Sequence, residues 1–100
     1  ATSYLFTGDA EDAEEKKTIV EGFIVDADVL KAGHHGSRYS TSREFIDAVS
    51  PMLAIISAGA NNKYGHPHRE TLDRLSGVSV LRTDASGDIV VTSDGKNIRW

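Results

Sequence analysis

Apolar positions along this chain switch between short strand-like runs and helical spacing. Ser3-Tyr4-Leu5-Phe6-Thr7 is short, aromatic-rich and closed by Gly8-Asp9, which predicts a strand. Ala10 to about Val20 predicts a helix, with acidic residues in its first turns and Lys16-Lys17 later, the charge order a helix dipole favours. Gly22 is its expected stop, although Ile19, Val20, Phe23, Ile24 and Val25 run apolar across that boundary. Asp28 to Ala32 predicts a second strand. In Ser42 to Val49, Phe45, Ile46 and Val49 share one helical face, Thr41 or Ser42 can cap the start, and Pro51 ends it. Met52 to Ser57 is nearly continuous apolar sequence, the pattern of a strand buried on both faces. Arg69 to Leu75 predicts a third helix closed by Gly77.

The last quarter changes character. Val78 to Arg82, Asp88 to Thr92 and Asn97 to Trp100 are β-like, with turns expected at Ala85-Ser86-Gly87 and Asp94-Gly95. The order β-α-β-α-β-α-β-β-β, with no linker or repeat, predicts a single α/β unit over residues 1–100. Its sheet is expected to be mixed, with helices mainly on one face and a C-terminal antiparallel hairpin series, a layered half-sandwich.

Composition narrows the chemistry. A chain of 100 residues with 39% apolar and 26% charged residues is an ordinary small globular domain with a modest core. No apolar run approaches the roughly 20 residues of a membrane helix, and no signal-peptide pattern opens the chain. Because the sequence starts at Ala1 directly on a strand-like segment, we expect a piece of something longer. The absence of cysteine excludes disulfides and thiolate sites, so a bound metal would have only nitrogen and oxygen ligands. A net charge of -4 argues against a large basic surface for nucleic acid. The acids, however, concentrate at residues 11–15, whereas Lys31, Arg38, Lys63 and Arg69 lie beside the histidine-bearing loops. Phosphate binding at that edge therefore stays open.

Three loops that follow predicted strands carry the candidate chemistry: Gly8-Asp9, Gly33-His34-His35-Gly36-Ser37, and Asn61 to His68. Ligands on strand ends are how α/β folds build metal sites, and together the loops suggest part of a metallohydrolase site. Asp9 can bridge metal ions or cap the following helix; the histidine pair favours the first. If the segment is extended, His34 and His35 point in opposite directions, so one is a ligand and the other a hydrogen-bond donor behind the ligands, a substrate contact or a surface residue. Gly33 and Gly36 predict close backbone approach or positive φ. Ser37 can donate to an oxyanion or cap the loop. His66, in a loop with Asn61, Asn62 and Tyr64, can bond a phosphate or deliver a proton, with a structured turn as the plainer alternative. His68 is expected at the exposed start of a helix. Asp9 and one histidine fall short of the three protein ligands of a catalytic zinc site, and a two-metal site needs more.

Leu5-Phe6-Thr7-Gly8-Asp9-Ala10, Asp28 to Ser37, Ile55 to Gly59 with Asn62 to Pro67, and Arg82-Thr83-Asp84 with Gly87-Asp88-Ile89 resemble one family in combination. It is the metallo-β-lactamase-like domain of DNA-internalisation competence proteins (ComEC type). The resemblance covers nearly the whole chain but only the C-terminal half of that domain. The family's αβ/βα sandwich has two similar halves, and the first, carrying His-x-His-x-Asp-His, has no counterpart in this sequence. The resemblance implies Asp9 as bridging metal ligand and His35 as ligand to the second metal. It also implies catalytic roles for Asp9, His35 and His66, and substrate contacts at His34, Ser37, Asn62, Tyr64 and His66. The implied cofactor is zinc or manganese, binuclear in the complete domain. The implied activity is hydrolysis of phosphodiester bonds in DNA during uptake, by attack of metal-bound hydroxide.

Implied partners are DNA, single-stranded or the strand being degraded, the missing N-terminal half, and the membrane channel of a parent protein. That parent would lie in the bacterial cell membrane, with this domain outside the cytoplasm and the fragment itself soluble. Without the first half, the isolated chain is expected to be inactive and to expose an apolar sheet face. Two other readings stay in view: a soluble hydrolase of the same fold acting on small esters or phosphoesters, and a non-catalytic module that binds DNA or a partner.

Overall fold

In the computed structural model, which describes residues 1–100, four short strands run parallel in the order of the sequence. They are β1 (Tyr4–Phe6), β2 (Val29–Lys31), β3 (Leu53–Ile56) and β4 (Ser79–Arg82). Helices α1 (Asp12–Val20), α2 (Arg43–Val49) and α3 (Arg69–Arg74) form the crossovers between them. Leu5, Leu30, Ala54 and Val80 are register neighbours across the sheet and so share one face. On that face Leu30 packs with Phe45 and Val49 of α2 and with Ile19 of α1. Ala54, Ala32 and Ile56 pack with Ile46 of α2 and with Leu72 and Leu75 at α3. All three helices therefore cover the same side, as right-handed crossovers in an unreversed strand order require.

Local chemistry explains the boundaries. Ser42 caps α2, its hydroxyl accepting from Phe45 N–H at 3.2 Å. Ser50, in the left-handed region with φ 52°, ends that helix one residue before Pro51. Gly22 follows α1 at φ 81° and donates to the Ile19 carbonyl, the turn that only glycine enters freely. In β3, Leu53, Ala54 and Ile56 are fully buried but Ile55 is not, so the strand is covered on the helix side and only at its start on the other, short of the expected burial on both faces.

The sheet is parallel, which corrects the expected mixed one. Val78 to Arg82, predicted as part of a hairpin series, instead supplies β4 beside β3. After β4 the chain turns through a short helix, α4 (Thr83–Ser86), where a plain turn was expected. Asp84 accepts from the Arg82 guanidinium at 3.0 and 2.7 Å and holds that exit, so the chain leaves the sheet instead of folding back along β4. The remaining β structure is a separate antiparallel pair, β5 (Thr92–Ser93) and β6 (Ile98–Arg99). This hairpin lies at the start of the sheet, where Thr2 and Ser93 hydroxyls are 2.6 Å apart. It lines one depression together with Ala1, Asp28 and Met52. On the face away from the helices, Val29 and Leu53 are buried, but the row Phe6, Lys31, Ile55 and Leu81 is not, and Phe6 is 75% exposed. No helix is long and apolar enough to cross a membrane.

Candidate functional site

Because β1, β2 and β3 are parallel, the loops that leave them meet at one edge. The first two are stitched together by His34 N–H donating to the Gly8 carbonyl at 2.9 Å, Thr7 hydroxyl to Lys31 O at 3.0 Å and Ser40 hydroxyl to Ala10 O at 2.6 Å. A Cβ on Gly33 would stand 2.8 Å from the Ala10 carbonyl, so this approach needs glycine. The second and third loops meet where His68 N–H donates to Gly36 O at 3.0 Å. Gly36 has φ 80°, and a Cβ there would lie 2.6 Å from Pro67 Cβ. Both glycines thus make the close approaches the sequence predicted.

The segment between them is not extended. His34 and His35 both adopt left-handed backbone, at φ 49° and 57°, so the expectation that they diverge as in a strand fails. Their ring centroids lie 6.4 Å apart, and His66 sits 5.8 Å from His34 and 6.1 Å from His35. Three of the four histidines therefore form a triangle at the strand edge. With Ala58, Gly59, Asn62 and Tyr64, His35 and His66 line a depression of about 200 Å³.

The ring nitrogens differ in what they have left to offer. His35 Nδ1 donates to the Ser57 carbonyl at 2.7 Å, which fixes the ring and leaves Nε2 as a free acceptor. His34 Nδ1 lies 3.3 Å from a Glu11 carboxylate oxygen. That pair is close but not an aligned hydrogen bond, for Nδ1 has no hydrogen-bond partner. His66 is held below the ordinary histidine range by burial first, then by the positive charge that His68, His34 and His35 would carry. His68 forms the chain's His-x-His spacing with His66, yet both its nitrogens are taken. Nδ1 accepts from Arg38 N–H at 2.8 Å, and Nε2 donates to the Tyr64 carbonyl at 3.0 Å. It occupies the start of α3 as expected, but half-buried and bridging two loops.

Of the other candidate residues, Asp9 is exposed at the tip of the first loop, and Glu11 takes the N-cap position of α1. Ser37 is buried, its hydroxyl accepting from Tyr39 N–H at 3.2 Å and its carbonyl accepting from Thr71 at 2.9 Å. Asn62 staples its own loop: its amide donates to Gly59 O and His66 O, and its oxygen accepts from Tyr64 N–H and His66 N–H. Tyr64 keeps an exposed ring stacked on His66 at 5.6 Å. No three His, Asp or Glu side chains of this chain are grouped as metal ligands.

Sequence reasoning missed the residues that support this edge. Glu15, only 2% exposed, accepts from Thr41 N–H at 2.5 Å and from Ser42 N–H at 3.0 Å. In an acidic run it looks solvated; its position four residues before the inward-facing Ile19 was the available signal. Thr83 Oγ1 accepts from Ala58 N–H at 2.9 Å and donates to Ala58 O at 3.0 Å, pinning the rim of the depression.

An α/β unit with a clustered-imidazole edge at its strand ends has close relatives among curated proteins. The chain is 48% identical over 89 residues to ComE operon protein 3 of Bacillus subtilis, 87% of this chain. It is 41% identical to Competence protein ComA of Neisseria gonorrhoeae over 86 residues, 83% of this chain. Recombination protein 2 of Haemophilus influenzae is also 41% identical, over 91 residues and 89% of the chain. These matches make the chain a relative of a competence protein family. It spans only about an eighth of those relatives, 12%, 12% and 11% of their lengths. No protein-family model and no solved structure matches it.

Proposed function

We propose that this chain is the second half of a metallo-β-lactamase-like sandwich in a DNA-uptake protein, and that it serves metal-dependent hydrolysis of DNA during natural transformation. The observation that carries this reading is the His35 ring, held by the Ser57 carbonyl with Nε2 free at the strand edge. An imidazole whose other nitrogen donates to a backbone carbonyl is the usual form of a histidine metal ligand. Competence relatives supply the DNA-uptake context.

In this reading Asp9 and His35 are contributed to a zinc or manganese centre whose other ligands come from a first half carrying its own histidines. When bound, the metal would supply Lewis-acid activation of water. This chain's own part is orientation: Ser57 fixes His35, the Gly8 carbonyl fixes the His34 backbone, and Asn62 fixes His66 at the mouth of the depression. His66, neutral at physiological pH because burial disfavours its charge, is an acceptor or donor for a phosphate oxygen. The open row Phe6, Lys31, Ile55 and Leu81 is the face on which a first half would pack. By the same reading the parent lies in the membrane with this unit outside the cytoplasm, and the isolated chain does not cut DNA.

The test is a zinc or manganese titration of the 100-residue chain followed by imidazole NMR. The reading expects weak binding that perturbs His35 Nε2 and is lost in His35→Ala and Asp9→Asn. Binding centred on other residues, or unchanged in both variants, counts against it.

A further inference from the structure

His68 stands at the N-cap of α3, yet its side chain makes no capping bond to that helix. A serine or aspartate there would accept from the helix's own first amides; this ring reaches elsewhere. Nδ1 accepts from the Arg38 amide at 2.8 Å, and Nε2 lies 3.0 Å from the Tyr64 carbonyl. An N–H on one side and a carbonyl on the other admit one form of the ring, the neutral tautomer with its hydrogen on Nε2. The backbone of the same residue adds a third tie, its N–H donating to Gly36 O at 3.0 Å. His68 thus joins the second loop to the third, and its ring stands edge-on to His66, 4.8 Å between centroids. Tyr64 and His66 both line the depression, so the tie is made to its wall.

We propose that His68 is a positioning residue that holds the second loop against the wall of the depression only as this neutral tautomer, so that protonating it loosens the histidine edge. A proton from solvent goes to Nδ1, the ring's one lone pair, and the Arg38 amide loses its acceptor. Two N–H groups then face each other across 2.8 Å, and the contact turns from bond to repulsion. The Tyr64 side keeps its donor, so the ring stays with the third loop and the second is released. Thr71 and Arg74 still hold the carbonyls of Ser37, Arg38, Ser40 and Thr41, so the loop loosens at Arg38 without leaving the fold. The charged and titratable groups that face the ring are Arg38 from the second loop, Glu70 from α3 and His66 from its own loop. Lys63 is turned onto the Tyr64 ring and Arg69 towards Asp73. The proposal rests on the reading above in taking the depression as the working site, but its chemistry needs neither metal nor DNA.

The experiment follows the 100-residue chain by NMR, without metal or DNA, over roughly pH 8 to 5, the range in which imidazoles change charge. At the upper end the ring nitrogen shifts of His68 should show hydrogen on Nε2 and a bare, hydrogen-bonded Nδ1. Protection of the Arg38 amide, taken relative to an unstructured peptide at the same pH, should fall by roughly 2- to 10-fold as His68 takes its proton, the loss of one hydrogen bond. Asparagine places an acceptor oxygen near the position of Nδ1 and takes no charge, so His68→Asn should keep that protection at every pH. His68→Leu, with no acceptor, should lack it throughout. The Nδ1–H tautomer, an Arg38 protection that ignores the charge of His68, or a fall that persists in His68→Asn and so belongs to His66 or Glu70, overturns the proposal. Each of these leaves the metal-site reading standing, and a failed metal titration leaves this proposal standing.

Discussion

Glu15 and Arg74 grip the segment Arg38–Ser42 from opposite sides. The Glu15 carboxylate takes the amides of Thr41 and Ser42, and the Arg74 guanidinium donates to the carbonyls of Arg38, Ser40 and Thr41 at 2.8, 3.0 and 3.0 Å. Neither touches the depression, yet between them they fix the backbone that follows the histidine pair. Thr41 sits inside this grip at φ 58°, a conformation that a β-branched residue keeps only when its surroundings hold it. Replacing Glu15 by alanine leaves two amide donors without their acceptor, and we expect a loss of about 2–4 kcal/mol in urea unfolding. Arg74→Lys keeps the charge but not the fork and should cost part of that. An unchanged midpoint for Glu15→Ala would show that the loop does not depend on it.

Gly36→Ala should separate the second and third loops. Its φ of 80° and the 2.6 Å approach to Pro67 Cβ both penalise a side chain. A destabilisation of at least about 1–2 kcal/mol is expected. The amide of His68, which donates to Gly36 O, should then exchange faster with solvent than in the parent chain. Gly59→Ala, where nothing lies within 4 Å of an added Cβ, is the matched control and should be near neutral.

His66 should titrate below 6.5, because burial and then the neighbouring imidazoles disfavour its charged form. The unfolded chain therefore takes up this proton first as pH falls. The His66 contribution to stability is intact above about 6.5 and declines as pH drops through the window between that value and the lowered one. Imidazole NMR checks both points: His68→Gln should move the His66 titration upward, and a His66 that titrates above 6.5 would contradict the cause assigned.

The open sheet row predicts association. Phe6 is 75% exposed on an edge strand, with Ile55 and Leu81 beside it on the same face. Lys31 interrupts the row between Phe6 and Ile55, so the association should be weak: sedimentation of the isolated chain should show a concentration-dependent rise in mass that Phe6→Lys reduces, since exposed apolar surface favours self-contact. A strict monomer at high concentration would contradict it.

Periodicity revealed the parallel core because β-α-β spacing leaves few topologies, and the strands ending at Phe6, Lys31 and Ile56 fell within a residue of expectation. After Arg82 it held only for the last hairpin, where the Asp94-Gly95 turn and a strand within Asn97 to Trp100 are present, whereas Val90 and Val91 look strand-like but the Arg82–Asp84 pair redirects the chain first. At the site, glycine spacing exposed the close approaches at Gly33 and Gly36. Nothing local predicted left-handed backbone at both His34 and His35, because the carbonyls that hold them, Gly8 for the His34 amide and Ser57 for the His35 ring, come from other loops. The burial of Glu15 and the double engagement of His68 were hidden for the same reason: their partners lie 26 and 30 residues away.

The most direct test of the central claim is a graft. This chain would replace its matching segment in ComE operon protein 3 of Bacillus subtilis, to which it is 48% identical, and the purified chimera would be assayed for zinc- or manganese-dependent cleavage of labelled DNA. The account predicts cleavage by the graft and its loss in Asp9→Asn and His35→Ala grafts of equal abundance. Equal cleavage by all three, or none by the unaltered graft with metal bound, would contradict it.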